Sequence, residues 1–174
     1  SGRILFSKPK IGDVLVFKTP ADNRTDYIKR LIGQPGDVIQ FIDGDLYINN
    51  NQIFRTLIKS DESVFCGNSK IKVNFYNEKL PNGKIYRTSY STKNSFQNSD
   101  KFLVPENHYF FLGDNRDCSK DSRYLSEVGY VHQDNLVGKA QFLFFSSDYR
   151  VGSIFKFWDW KNIIRFNRFF KKIN

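Results

Sequence analysis

Methionine is absent from these 174 residues, and the chain opens Ser-Gly-Arg. A start without an initiator reads as a processed form or a fragment, with a further segment expected upstream of Ser1. No window approaches 18 consecutive apolar residues, which excludes a transmembrane helix within the chain, and no signal peptide is visible. Only two histidines occur, His108 and His132. Neither lies in a Gly-x-Ser-x-Gly context, so a nucleophile elbow with a Ser-His-Asp triad has no support, and both read as structural or surface residues. The two cysteines, Cys66 and Cys118, form neither a CxxC pair nor a zinc-ligand spacing. A disulfide would need an oxidising compartment, and two unpaired thiols are the expectation. No repeat of 20–50 residues is visible, which excludes a solenoid.

Acidic residues are also short: 18 stand against 27 basic ones, a net charge of +9. Such a field attracts anions, whether nucleic acid or acidic lipid headgroups, and charge alone does not choose between them. With 40% hydrophobic and 26% charged residues the chain is folded rather than disordered. Its length suits one domain, or one domain with an insertion. Phe (18) and Tyr (9) are abundant, as in an aromatic-rich β protein or a membrane-facing surface.

Short strand signals recur between turn signals. Val14 to Phe17 follows a Gly-Asp turn and stops before Pro20. "DYIKRLIG", Asp26 to Gly33, is a second strand, closed by the Gln-Pro-Gly-Asp turn. Asp43-Gly44 predicts a hairpin. Tyr109 to Leu112 is a buried strand running into a charged loop, and Asn135 to Ser146 is a last buried strand. Residues 57–100 differ in character: Asn, Ser, Lys and Tyr dominate and apolar periodicity is weak. They read as a smaller β insertion or cap, set between 1–56 and 101–174, which carry the core. Within them Phe75 to Tyr90 predicts a surface hairpin about Pro81-Asn82-Gly83. At the C-terminus, 155–174 reads as a basic amphipathic helix. Trp160, Ile163, Ile164 and Phe170 share one face, and Lys161, Arg165, Arg168, Lys171 and Lys172 lie mostly opposite. Such a helix either docks on the domain or lies in a membrane interface.

Two features invite chemistry. Lys29 sits inside the second strand, sharing a face with Tyr27 and Leu31, while Ile28, Arg30 and Ile32 share the other. A lysine there either snorkels to water or serves as a base. The loop "GDNRDCSKDSR", Gly113 to Arg123, packs Asp114, Arg116, Asp117, Lys120, Asp121 and Arg123 around Ser119 and Ser122. Charges this close in a loop pair and fix its shape. Its spacing does not follow the D-x-[DN]-x-[DN]-G calcium loop, so no metal site is expected. With only Gly113 it is no phosphate cradle. No cofactor is expected.

Taken together, "GDVLVFKTP", "DYIKRLIGQPGDVI" and "GDNRDCSKDSR…GYV…DNLVGKA" resemble the bacterial type I signal peptidases, over roughly residues 3–56 and 101–146. The resemblance implies a mainly β fold: an antiparallel, barrel-like core with a smaller β insertion. It implies a membrane-associated Ser-Lys serine endopeptidase that removes N-terminal signal peptides from exported preproteins. The enzyme would lie in the bacterial cytoplasmic membrane, its catalytic domain on the extracytoplasmic side. Lys29 is then the general base and Ser119 the hydroxyl that orients its amine. Asp121 and Arg123 resemble a structural ion pair of the site, and Asp114 the partner of Arg30. Tyr27 and Ile28 resemble part of the wall that accepts the small residue before the cleavage point. Signal peptides and a lipid bilayer surface are the implied partners.

The chain also departs from that pattern. The family's serine lies in a Ser-Met-x-Pro-Thr motif upstream, and no such motif occurs here, so the chain by itself is expected to be inactive. Cys118 stands where Asn is usual, and "YLSEVGYV", Tyr124 to Val131, is longer than the usual segment and has no Trp. Two other readings remain. One is a conjugation-type or repressor-type Ser-Lys peptidase. The other is a basic β domain that stacks single-stranded nucleic acid on Tyr and Phe, which leaves the Lys29 strand and the charged loop unexplained. No nucleic acid is expected as a partner.

Overall fold

The computed structural model of the chain describes residues 8–140 and the two short segments 142–143 and 171–172. The chain divides into two compact units, 1–139 and 140–174. The first unit contains everything that bears on the site.

Its central sheet is antiparallel. β1 (Val14–Lys18) pairs with β2 (Asp26–Gly33), with Leu15 opposite Lys29 and Val14 opposite Arg30. β10 (His108–Leu112) covers the other edge of β2, with Leu112 opposite Arg30. β11 (Val131–His132) and β12 (Leu136–Lys139) complete the order β11-β10-β2-β1-β12. β2 is thus the middle strand, which fixes its backbone from both sides. A second sheet contains β3 (Val38–Ile42), β4 (Asp45–Ile48), β5 (Asn51–Gln52) and β9 (Phe102–Leu103), in the order β5-β4-β3-β9. Its β3–β4 turn is the Asp43-Gly44 pair, with φ of 49° and 82°. Two left-handed residues in succession match the twist of a hairpin, which is why that dipeptide stands there.

Strand alternation builds two cores at once. Ile32, Phe110 and Leu112 pack with Ile39, Phe41, Leu46 and Phe102. Their chain neighbours Leu31 and Phe111 pack with Leu15, Phe17, Val128 and Val131. Consecutive residues of β2 and β10 therefore serve opposite faces, as a pleated strand requires.

Residues 55–91 form a third sheet: β6 (Arg55–Cys66), β7 (Ser69–Lys79) and β8 (Ile85–Ser91), in the order β6-β7-β8. The β7–β8 hairpin turns at Pro81-Asn82-Gly83, where Gly83 has a φ of 83°. Leu80 and Tyr86 from this hairpin belong to the first core cluster.

The fold is mainly β and antiparallel, as the sequence implies. Two expectations need correction, and a third falls almost wholly outside the described residues. The cysteines are joined in a Cys66–Cys118 disulfide, with Cα atoms 5.5 Å apart, rather than left as two thiols. Chain spacing carried no sign of this, because the length of β6 decides where Cys66 ends up. The strand expected over Asn135–Ser146 is shorter: β12 ends at Lys139, and β13 (Phe142–Leu143) pairs with β14 (Lys171–Lys172) in the second unit. The helix expected over 155–174 lies outside the described residues except at Lys171–Lys172, which are strand.

Candidate active site

The site forms where β2 meets the loop after β10. Lys29 sits in β2 opposite Leu15 of β1, one residue beyond the last β2–β10 pair, Arg30–Leu112, so its stem is held by sheet pairing rather than by a flexible loop. Its Nζ donates to Ser119 Oγ at 2.7 Å and lies 5.3 Å from the Tyr27 ring centroid. Burial pushes the Lys29 amine below its ordinary value; Arg123 adds to this, and the Asp121 and Asp114 carboxylates oppose it without reversing it. The structure therefore gives a half-buried lysine that loses its proton more readily than one in water and is gripped by one hydroxyl.

Contact at that range depends on Gly113. A Cβ built there would stand 2.0 Å from Ser119 Oγ and 2.4 Å from Ser119 Cβ. The backbone at 113 thus lies flat against the serine, and only a residue without a side chain fits.

The loop is fixed by ion pairs at each end. At its start, Arg30 donates through Nε and Nη2 to the two oxygens of Asp114, both at 2.8 Å, and through Nη1 to the Gly12 carbonyl at 2.8 Å. A planar guanidinium with two parallel bonds to one carboxylate sets angle as well as distance. Its face lies over Tyr86, 4.3 Å from the centroid. At its end, Arg123 Nε and Nη2 reach Asp121 at 2.8 and 2.9 Å, with both side chains all but fully buried. Asp121 also accepts from the Gly113 N–H at 3.0 Å, so this pair ties the two ends of the loop together. Ser122 is back-bonded to Phe111 through both its N–H and its Oγ.

In the middle of the loop, Arg116 and Glu78 form a pair that the sequence did not suggest. Arg116 Nη2 meets Glu78 Oε2 at 2.6 Å, each side chain being 1% exposed. Glu78 also accepts from Tyr86 and Tyr90 hydroxyls, both at 2.6 Å, and from Thr88 at 3.3 Å. Arg116 donates to both tyrosine hydroxyls as well, and its carbonyl accepts from Arg123. Burial opposes ionisation of Glu78, but Arg116 and the donated hydrogen bonds outweigh it and hold the carboxyl below its ordinary value. Asp117 accepts from the Ser91 and Phe96 N–H groups at 2.8 and 3.0 Å. Together with the Cys66–Cys118 bond, these contacts attach the loop to the β6–β8 sheet and the segment that follows it. Glu78 lies in a run of Lys and Asn with no local cue to its burial; Arg116, central in the charged loop, was the only hint.

The eight residues singled out by sequence fall as follows. Lys29, Ser119, Asp121 and Arg123 converge, and Arg30 and Asp114 flank them. Tyr27 is half-buried beside Lys29, and Ile28, on the opposite face of β2, is 59% exposed. Among the described residues no group of three or more His, Cys, Asp or Glu is arranged to hold a metal.

Known proteins resemble this chain over most of its length. The sequence model of a family described as "Signal peptidase, peptidase S26" matches residues 3–145. Signal peptidase I of Rickettsia bellii (strain OSU 85-389) is 40% identical, over 99% of this chain and 63% of that protein. Signal peptidase I of Rickettsia typhi is 41% identical, over 99% of this chain and 69% of its own length. The chain thus spans about 63% of the R. bellii relative. Among solved structures, a signal peptidase I from Enterococcus faecalis V583 is 27% identical with a TM-score of 0.45, covering 78% of this chain and 99% of that one.

Proposed function

The chain belongs to the signal peptidase family, peptidase S26, and on that premise we propose that it is the lysine-bearing part of a Ser-Lys endopeptidase that removes signal peptides from exported preproteins. The observation that carries this reading is the 2.7 Å contact between a half-buried Lys29 amine and Ser119. An ordinary lysine, with a pKa of about 10.4, is neutral in only about one molecule in 2,500 at pH 7. Burial raises that fraction, and a neutral amine accepts a proton. By donating one N–H to Ser119, the amine fixes its own rotation and directs its lone pair elsewhere, toward an approaching hydroxyl.

The nucleophile of this proposal is a serine outside these 174 residues, in the remaining part of the longer protein. Its hydroxyl attacks the scissile carbonyl as Lys29 Nζ takes its proton. The same proton passes to the leaving amine, and an acyl-enzyme remains. Lys29, neutral again, then takes a proton from water as the water attacks the ester and returns it to the departing serine oxygen, which releases the signal peptide and restores the serine. Tyr27, on the Lys29 face of β2, lines the wall for the small side chain before the scissile bond, whereas Ile28 points to the other face. Asp114–Arg30 and Asp121–Arg123 keep the loop in place through both steps. The 174 residues alone therefore do not cleave.

The disulfide supports an extracytoplasmic location for this domain, because such bonds persist in oxidising compartments. The net charge of +9 supports contact with an anionic bilayer surface. The testing experiment is processing of a preprotein with an Ala-x-Ala site by the full-length protein, its Lys29→Ala variant and the 174-residue chain. Cleavage by the first alone is expected; equal cleavage by Lys29→Ala would overturn the assignment of the base.

A further inference from the structure

The loop that carries Ser119 is held from the inside by buried charges. The residue next to Ser119, Cys118, is held differently. It ends a short 3-10 turn, Arg116–Cys118, and its backbone N–H makes only a long 3.3 Å bond to Asn115. Its sulfur is bonded to Cys66, the last residue of β6, where register pairing ends at Cys66 opposite Ser69. Gly67, Asn68 and Ser69, which turn the chain there, are all exposed. The far end of a hairpin whose strands run to 12 and 11 residues is thus pinned to the chain one residue before the hydroxyl that grips Lys29. Asp117 and Asp121 anchor the backbone two residues away on either side. The disulfide is the tie nearest to Ser119 in the chain, and both of its cysteines are partly exposed.

We propose that the Cys66–Cys118 disulfide is a positioning bond for Ser119, so that the catalytic competence of Lys29 depends on the oxidation state of this cysteine pair. Cys66 and Cys118 act through Ser119 and do not touch the reacting atoms. The proposal rests on the Ser-Lys reading above. Opening the bond is a thiol–disulfide exchange with an external dithiol. One thiolate of the reagent attacks a protein sulfur to give a mixed disulfide, and its second thiolate displaces the protein sulfur. The reagent leaves as a cyclic disulfide, and two electrons and two protons remain on Cys66 and Cys118 as thiols. The loop keeps its internal ion pairs in that state but loses its outer tether. Ser119 then samples positions away from the amine, and Lys29 becomes better hydrated.

Two readouts test this. In the 174-residue chain, the Lys29 amine is titrated by NMR with side-chain-labelled lysine before and after dithiothreitol, and again after reoxidation with oxidised glutathione. The expected result is a rise of the Lys29 midpoint toward the ordinary lysine value on reduction, reversed on reoxidation. In the full-length protein, reduction is expected to lower kcat by about tenfold with little change in KM, because misplaced catalytic groups cost rate rather than binding. The acid limb of its pH profile is expected to move to higher pH. The double variant Cys66→Ser/Cys118→Ser repeats both measurements without a reductant, and reduction of already folded protein serves if that variant does not fold. A Lys29 midpoint and pH profile unmoved by reduction would overturn the proposal. If Lys29→Ala cleaves like wild type, the Ser-Lys reading itself fails. Loss of activity in Lys29→Ala beside indifference to reduction would remove the disulfide proposal alone.

Discussion

Replacing Glu78 by Gln probes the deepest tie between the loop and the third sheet. The substitution keeps the shape and removes the charge. Arg116 then stays in place at 1% exposure with no compensating carboxylate, and its Nε is already a buried atom with no hydrogen-bond partner. Breaking one side of a buried pair costs about 3–5 kcal/mol. For a chain of this size each kcal/mol is worth about 2–4 °C in Tm, so a fall of about 10 °C is expected. The pH dependence follows from the same geometry. The folded Glu78 carboxyl lies below its ordinary value, so its contribution is complete above about pH 4.3, the unfolded value, and is lost as pH falls through the folded value. Urea unfolding of the oxidised chain at a series of pH values measures this. The gap between wild type and Glu78→Gln is expected to be widest near neutrality and to close in acid. The double variant Glu78→Gln/Arg116→Met, which removes both charges, is expected to recover part of the loss. A Glu78→Gln chain within about 1 kcal/mol of wild type at pH 7, or a gap that does not change with pH, would refute this account of the network.

Two further outcomes follow from the site. Gly113→Ala puts a methyl group 2.0 Å from Ser119 Oγ and 2.4 Å from Ser119 Cβ, and overpacking of this kind costs about 1–3 kcal/mol; urea unfolding is expected to show that loss. Lys29→Met removes a charge that burial disfavours. The folded amine titrates below its unfolded value of about 10.4, so its burial penalty is full below the folded value and fades as pH rises through that value toward about 10. Lys29→Met is therefore expected to gain about 0.5–2 kcal/mol at pH 7, with a flatter rise of stability in alkali, while the full-length protein loses cleavage by about 10²–10⁴-fold.

Part of the loop's pairing was within reach of the sequence. Asp121 and Arg123 are two residues apart, and their buried fork closes within the loop itself. The Arg30–Asp114 pair spans 84 positions, and only the resemblance of the two motifs suggested it. The Glu78–Arg116 pair and the disulfide had no such cue. Glu78 sits in a polar, lysine-rich strand whose inward face is invisible to periodicity, because its neighbours on that face are hydroxyls rather than hydrocarbons. Cys118 stands at a position where the resemblance suggested an amide, and nothing near Cys66 marks it as a partner.

The amino-acid order by itself determined what depends on near neighbours. Alternation set the faces of β2, an Asp-Gly dipeptide set the β3–β4 turn, and charge density marked the loop from Gly113 to Arg123. Tertiary structure decided what depends on distant chain meeting: the burial that lowers the Lys29 pKa, the approach of Ser119 allowed by Gly113, and the attachment of the loop to β6–β8 through Glu78, Asp117 and Cys66. The physical reason is range. Dihedral preference and period act over a few residues, whereas desolvation, ion pairing and sulfur bonding are set by which surfaces the folded sheets bring together.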